Sequence, residues 1–301
     1  MTATIRPYAG TDLTSLLACW RAALPLDAVD AGRFTRQVLL DPNFEPRRLL
    51  VAAADGGVLG FCLTVARRAP YEDLGVEADR GWITAFGVDP AARRQGLGSR
   101  LLAAALASLA AEGRSQVRLA DYVPGYFVPG LDVAHYAAGL EFLAGRGFEV
   151  VARPLAMAAD LARPMAAPAV PAGAEVRPAR AEDVPELLAL VAAEMPGDWL
   201  RMVRERLATL DFESLVVARR DDQMAGWCQF DGEHFGPIGV RPEGRGQGLG
   251  RALLGAALSA MRARGLAKAW VLWTGDAAAA KVYGPLGFVE TRRFAVLRRW
   301  L

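Results

Sequence analysis

The chain has 301 residues, enough for about two domains at ~150 residues each, and its 53% hydrophobic against 23% charged content excludes intrinsic disorder. The 35 basic and 33 acidic side chains nearly cancel, so no dedicated nucleic-acid face is expected. Two histidines and three scattered cysteines (Cys19, Cys62 and Cys228) exclude a multi-histidine metal centre and a disulfide framework, and the cysteines read as buried reduced thiols.

The opening segment, MTATIRPYAGTDL, lacks the basic start and apolar run of a signal peptide. Every apolar stretch is broken by Arg, Glu or Gly before it reaches membrane-spanning length. A cytoplasmic protein without membrane partners is the expectation. Residues 4–7 predict an edge strand leading into a helix with Thr11 as its cap. Residues 49–53 and 58–65, about the turn Asp55-Gly56-Gly57, predict a hairpin. A strand over 82–88 enters a Gly-rich loop, and an Ala/Leu-rich helix over 98–112 ends at Gly113. A strand over 116–120, a helix, Gly147-Phe148 and a last strand follow. Residues 163–173 (RPMAAPAVPAG) are Pro/Ala-rich without periodicity and read as a linker. The same order then returns: a strand over 175–178, a helix, a hairpin over 215–219 and 224–230, a strand over 235–240, a Gly-rich loop, a helix over 250–264 ending at Gly265, a strand over 268–273, a helix, Gly287-Phe288 and a last strand.

Four landmarks recur in order. Ile5-Arg6-Pro7 matches Val176-Arg177-Pro178, each followed by an acidic residue (Asp12, Asp183) and a Leu-rich stretch. The segment ending Gly60-Phe61-Cys62 matches that ending Gly226-Trp227-Cys228. Gly87-Val88-Asp89-Pro90 with its loop matches Gly239-Val240-Arg241-Pro242 with its own, and Gly147-Phe148 matches Gly287-Phe288. The separation between copies shrinks along the chain, which places insertions in the first copy around 67–80 and 122–133. Copies of this size are a domain duplication rather than a solenoid. The expected domains are 1–162 and 174–301, joined by 163–173. The fold class is α+β (mixed α/β), two tandem domains, each a central mixed sheet flanked by helices.

The chemistry lies where a strand meets Arg-x-x-Gly-x-Gly and a helix: Arg93-Arg94-Gln95-Gly96-Leu97-Gly98, and Arg245-Gly246-Gln247-Gly248-Leu249-Gly250. Glycines let backbone N–H groups approach a ligand closely. A helix N-terminus favours an anion, and Arg93 and Arg245 add positive charge. The ligand implied is a phosphate or pyrophosphate. No Lys follows the glycines, as a Walker loop requires, and the Rossmann GxGxxG spacing fails in both copies, which demotes ATP and NAD.

This segment resembles the Gln/Arg-x-x-Gly-x-Gly/Ala signature of the GNAT superfamily of N-acetyltransferases, in a tandem, two-domain form. Leu101-Leu102 and Leu253-Leu254 after the loops and Tyr283-Gly-Pro-Leu-Gly-Phe288 near the end fit the same family. The resemblance implies acetyl-CoA as cosubstrate and no metal. The loops, with Arg93, Arg94, Gln95, Gly96, Gly98 and Ser99 in the first copy and Arg245, Gly246, Gln247, Gly248, Gly250 and Arg251 in the second, would hold the coenzyme pyrophosphate. Val88 in one copy, and Ile238 and Val240 in the other, would pair with the pantetheine arm. Asp276 stands where the family often has an Asn seven residues before a Tyr.

The resemblance also implies roles in the transfer. Tyr283 is the expected acid for the departing thiolate, and the first copy has Leu143 in its place. His234 or Glu233, just before the second loop's strand, would take the amine's proton, where the first copy has Trp82. Catalysis is therefore expected mainly in the C-terminal domain, with a degenerate N-terminal one. The acceptor implied is a primary amine of a small molecule or peptide, on a monomer or homodimer. The alternative is a non-catalytic acyl-CoA-binding or sensing protein.

Overall fold

The computed structural model describes residues 3–163, 165, 167–195 and 197–301. Pro164 and Ala166 of the expected linker lie outside them. The chain forms two compact units. Unit 1 runs to Arg153 and includes Phe294–Leu301, and unit 2 is Pro154–Arg293.

Unit 1 contains β1 (Thr4–Pro7), α1 (Leu13–Ala23), α2 (Ala31–Phe34), β2 (Leu49–Ala54), β3 (Gly57–Val65), β4 (Arg80–Val88), α3 (Leu97–Ala111), β5 (Gln116–Leu119), β6 (Leu131–Asp132), α4 (Ala137–Ala144) and β7 (Glu149–Ala152). Unit 2 contains β8 (Leu155–Asp160), β9 (Ala174–Pro178), α5 (Val184–Glu194), α6 (Gly197–Ala208), β10 (Leu215–Arg220), β11 (Gln223–Asp231), β12 (His234–Val240), α7 (Leu249–Ala263), β13 (Lys268–Thr274) and α8 (Asp276–Ala278). The last strand, β14 (Val289–Trp300), gives its first residues to unit 2 and its remainder to unit 1.

In unit 1 the sheet order is β1-β2-β3-β4-β5 followed by the end of β14, with β6 and β7 also on β14. In unit 2 it is the start of β14, then β8-β13-β12-β11-β10-β9. Each unit holds one parallel pair, β4–β5 and β12–β13, in an otherwise antiparallel sheet. The expected linker at 163–173 is therefore not where the compact units divide. The chain passes into unit 2 at Pro154 because β8 pairs with β13, and it returns at Phe294 because β14 pairs with β5 over Gln116–Leu119. The proline-rich segment packs on unit 2: Met165 contacts its core, and a Cβ added at Gly255 of α7 would fall 2.3 Å from Pro168 Cδ.

Strand alternation buries both faces of each sheet. In unit 1, Leu16, Trp20, Val51 and Phe61 pack on the α1 face, while Cys62, Ile83, Leu101 and Leu109 pack on the α3 face. In unit 2, Cys228, Phe230, Phe235, Leu253 and Leu258 form the α7 face, while Leu187, Val203, Val217 and Trp227 form the α5/α6 face. All three cysteines are buried and free, and burial pushes the Cys19 thiol up to about 11 and that of Cys62 to about 12.

The entry to α1 corrects the expectation for Thr11. Asp12 takes that place, accepting the Ala9 N–H at 2.8 Å and both Arg6 Nη donors at 2.6 and 2.8 Å. Unit 2 repeats the device: Asp183 accepts the Arg180 N–H at 2.8 Å and Arg177 at 2.6 and 3.0 Å. The Arg partner holds each carboxyl below the usual carboxylate range. The recurrent Arg-Pro…Asp spacing in the sequence is this bidentate pair. No helix among the described residues is long and apolar enough to cross a membrane.

Candidate active site

Both Gly-rich loops are built alike. Gly96 and Gly248 adopt left-handed φ values of 78° and 89° immediately before α3 and α7. Only glycine takes that conformation cheaply. Arg93 and Arg245 turn inward to close the loop: their Nε groups donate to the carbonyls of Val88 at 3.1 Å and Val240 at 3.0 Å. Each arginine thus fastens the loop to the end of the strand that feeds it, and Arg93 also donates through Nη2 to the Ala23 carbonyl at 3.3 Å. Gln95 and Gln247 donate to carbonyls four residues back, at 3.5 and 2.7 Å.

The two loops place their arginines differently, the first having Arg94 and Arg100 where the second has Gly246 and Ala252. Arg220, at the end of β10, donates to Gln247 Oε1, and exposed Arg251 stands in the first turn of α7. The first copy has Ala54 and Ser99 at these places. Arg220 was missed in the sequence because it lies outside the motif, although aligning the two hairpins puts it opposite Ala54. Ser99 Oγ is taken by Arg146 at 2.6 Å, and Arg146 also lies over the Phe142 ring at 3.6 Å. Phe142 stacks on Phe86 with ring centroids 5.8 Å apart, and a Cβ at Gly98 would lie 3.5 Å from Phe142 Cζ. Aromatic rings therefore line the mouth of α3. At the mouth of α7 the matching positions are Ile238 and Val282, and a Cβ at Gly250 would lie 4.0 Å from Val282 Cγ2. Position 94 is an arginine at φ 62°, where the second copy has Gly246 at φ 77°.

Beside each loop the sheet opens. β4 pairs with β5 only over Arg80–Ile83, so the Thr84–Val88 stretch has that edge free of β5. In unit 2 the parallel register is a single pair, His234 with Trp270, and the Phe235–Val240 stretch runs on without β13. The residues fit an extended, anionic coenzyme: a free strand edge leads to glycine amides, a helix N-terminus and arginines. Ile238 and Val240 lie on the stretch of β12 that runs free of β13.

His234 sits at the apex of this opening. It pairs with Asp231 across the hairpin, stacks on Trp270 with centroids 4.3 Å apart, and is half-buried. Burial lowers its pKa below the ordinary histidine value, partly opposed by Asp231. Glu233 lies in the hairpin turn next to it, where its carbonyl accepts the Trp270 N–H at 2.8 Å. Tyr283 lies on the other face of the sheet, in the core formed with α7. It is 4% exposed, edge-on to Phe288 at 5.3 Å and Phe235 at 6.2 Å, with a side-chain hydrogen bond to Thr274. Burial pushes its phenol pKa up. Because Phe235 points to the α7 face, His234 points to the α5/α6 face. The structure thus sets His234 and Tyr283 on opposite faces of the opening. Asp276 is exposed at the start of α8, paired with Arg293 at 2.8 Å. Among the described residues no cluster could hold a metal ion.

The acetyltransferase (GNAT) family profile matches residues 15–123 and again 184–288. The mycothiol acetyltransferase of Thermobispora bispora is 33% identical over 238 residues, covering 70% of this chain and 74% of its own. That of Clavibacter michiganensis is 32% identical over 243 residues, covering 76% and 72%. Among solved structures, a GCN5-related N-acetyltransferase from Sphaerobacter thermophilus superposes with a TM-score of 0.75 at 19% identity, covering 99% of this chain and 96% of that one. A tandem GNAT protein from the clavulanic acid biosynthesis pathway gives 0.66 at 18% identity, covering 99% and 98%. At these identities the structural likeness is one of fold. With the family's domain present twice and relatives aligned over most of its length, the chain belongs to the acetyltransferase (GNAT) family and is a tandem-domain N-acetyltransferase.

Proposed function

We propose that the protein moves an acetyl group from acetyl-CoA to a primary amine of a small molecule or peptide, and that the transfer takes place in unit 2. The observation that carries this reading is the contrast between the two openings. Unit 2 has Arg220 and Arg251 at its loop, aliphatic Ile238 and Val282 at its slot, and a titratable pair, His234 and Tyr283, across it. Unit 1 has Ala54 and Ser99 at those places, though Arg94 and Arg100 add charge elsewhere in its loop, and it has the Phe86–Phe142 stack and Trp82 and Leu143 where unit 2 has its aliphatic slot and titratable pair. Relatives that carry the name mycothiol acetyltransferase support a small-molecule acceptor.

Bound acetyl-CoA supplies an acetyl group activated as a thioester. Gly246, Gly248 and the first amides of α7 bind its pyrophosphate, helped by Arg220, Arg245 and Arg251. The free edge at Ile238 and Val240 orients the extended arm. His234 takes the proton that the amine nitrogen loses as it bonds to the acyl carbon. Its lowered pKa keeps the imidazole neutral, and so able to accept, at neutral pH. Tyr283 keeps its proton because burial raises its pKa, and it can release that proton to the sulfur as the carbon–sulfur bond breaks. Glu233, beside His234 in the hairpin turn, is the second candidate for the base, directly or through a water.

The test is release of free thiol from acetyl-CoA in the presence of a broad amine panel. Tyr283→Phe should lower kcat by roughly 10²- to 10⁴-fold with the acetyl-CoA KM near wild type. Unchanged turnover removes Tyr283 as the acid. The same assay on His234→Gln and Glu233→Gln decides which of the two is the base.

A further inference from the structure

The α5/α6 face of unit 2 carries polar groups that nothing among the described residues satisfies. Trp227 is fully buried, and its Nε1–H has no hydrogen-bond partner among them. Gln229 is 5% exposed; its Nε2 donates to the Met202 carbonyl at 3.4 Å, while its Oε1 accepts nothing. The two lie two residues apart on β11, on the face to which His234 points from β12. A buried donor and a buried acceptor left open are a net cost to folding. The first copy avoids that cost. Trp227 pairs with Gly239 as Phe61 pairs with Gly87, and the hairpin register places Leu63 where unit 2 has Gln229. Phe61 stacks on Trp20 at 4.7 Å, and Leu63 is buried in the same cluster. Phe61, Leu63 and Trp82 in one copy thus stand where Trp227, Gln229 and His234 stand in the other.

Helix α6 covers this face: Val203 is buried, and Trp199, Leu200 and Leu207 are half-buried against the same core. Trp199 meets Trp227 edge-on at 6.4 Å, and Trp199 with Met195 crowds Gly239, where a Cβ would lie 2.5 Å from Met195 Sδ. With most of its residues only half-buried, α6 is the element that would have to yield to admit a ligand.

We propose that Trp227 and Gln229 determine acceptor specificity: the indole N–H donates to, and the Gln229 Oε1 accepts from, one uncharged polar group that the acceptor carries beside its reacting amine. A hydroxyl or a carboxamide has that chemistry. This inference rests on placing the transfer in unit 2. The pair carries no charge, so a second ammonium or a carboxylate on the acceptor gains nothing from it.

The experiment measures kcat/KM of the full chain for ethanolamine, glycinamide and n-propylamine. Wild type should prefer one of the first two over propylamine, and the preferred one tells hydroxyl from carboxamide. Trp227→Phe and Gln229→Leu, each copying the first domain, should each lower that preference by roughly 3- to 10-fold. They should leave the acetyl-CoA KM unchanged and hold or raise the melting temperature. No preference in wild type, no turnover of the two polar amines, or a preference that survives both substitutions overturns the inference. Loss of turnover in Arg245→Ala, with Trp227→Phe and Gln229→Leu silent, overturns it while the reading of unit 2 stands. Full turnover in Arg245→Ala instead overturns that reading itself.

Discussion

His234 is half-buried against Trp270, and desolvation, the larger effect, outweighs the nearby Asp231 in setting its pKa below 6.5. The neutral form is the native form, so stability and base function are both present above that range. Stability is lost as pH falls from the unfolded value near 6.5 towards the lower folded one, and base function is lost as pH falls through the folded value itself. kcat/KM against pH should therefore show an acid limb with an apparent pKa below 6.5, and His234→Gln should remove that limb. A limb that persists in His234→Gln assigns it to another group. The residues of the loop were legible beforehand because glycine spacing and a flanking arginine state their chemistry locally. Tyr283 was legible only through the family pattern. The unsatisfied Trp227 and Gln229 became visible when the two copies were placed in register, since a single sequence does not reveal which buried polar groups lack partners.

At the scale of elements, the hairpins, the long helices α3 and α7 and their glycine ends follow from period and punctuation, which act over neighbouring residues. The proline-rich segment reads as a linker in the sequence, yet its Pro168 packs on Gly255 of α7. Gly255→Ala should test this packing: the added methyl meets Pro168 and should cost about 1–3 kcal/mol, read as a lower melting temperature. A neutral effect would mean that the segment moves aside. Helix α6 is not separated from α5 in the sequence reading, although Trp199, Leu200, Val203 and Leu207 recur at helical spacing and pack on one core. β14 shows the opposite limit. Its position after Gly287-Phe288 and the buried run Phe294–Leu297 mark a strand, but nothing local says that it serves two sheets. Leu297, fully buried against the α3 cluster, should cost about 2–5 kcal/mol when replaced by Ala, measured by chemical denaturation.

For the whole molecule, the duplication predicts two similar units, and the fold delivers them with a crossed inventory of strands. β8 follows the first copy in sequence and belongs to unit 2, whereas the last residues of the second copy complete unit 1. Fragments cut at the linker, 1–162 and 174–301, should each lack a strand of their own sheet. Expressed alone, they should lose the near-ultraviolet circular dichroism of packed aromatics that the full chain shows. A fragment that folds cooperatively by itself would contradict that dependence. The division of labour between the copies is tested most directly by filling each coenzyme slot in turn. Gly98→Val and Gly250→Val place the same side chain at the first turn of α3 and of α7, and thiol release from acetyl-CoA with an accepted amine is the readout. Gly250→Val should abolish turnover while Gly98→Val keeps the wild-type rate; loss of turnover in Gly98→Val with full activity in Gly250→Val would place the reaction in unit 1.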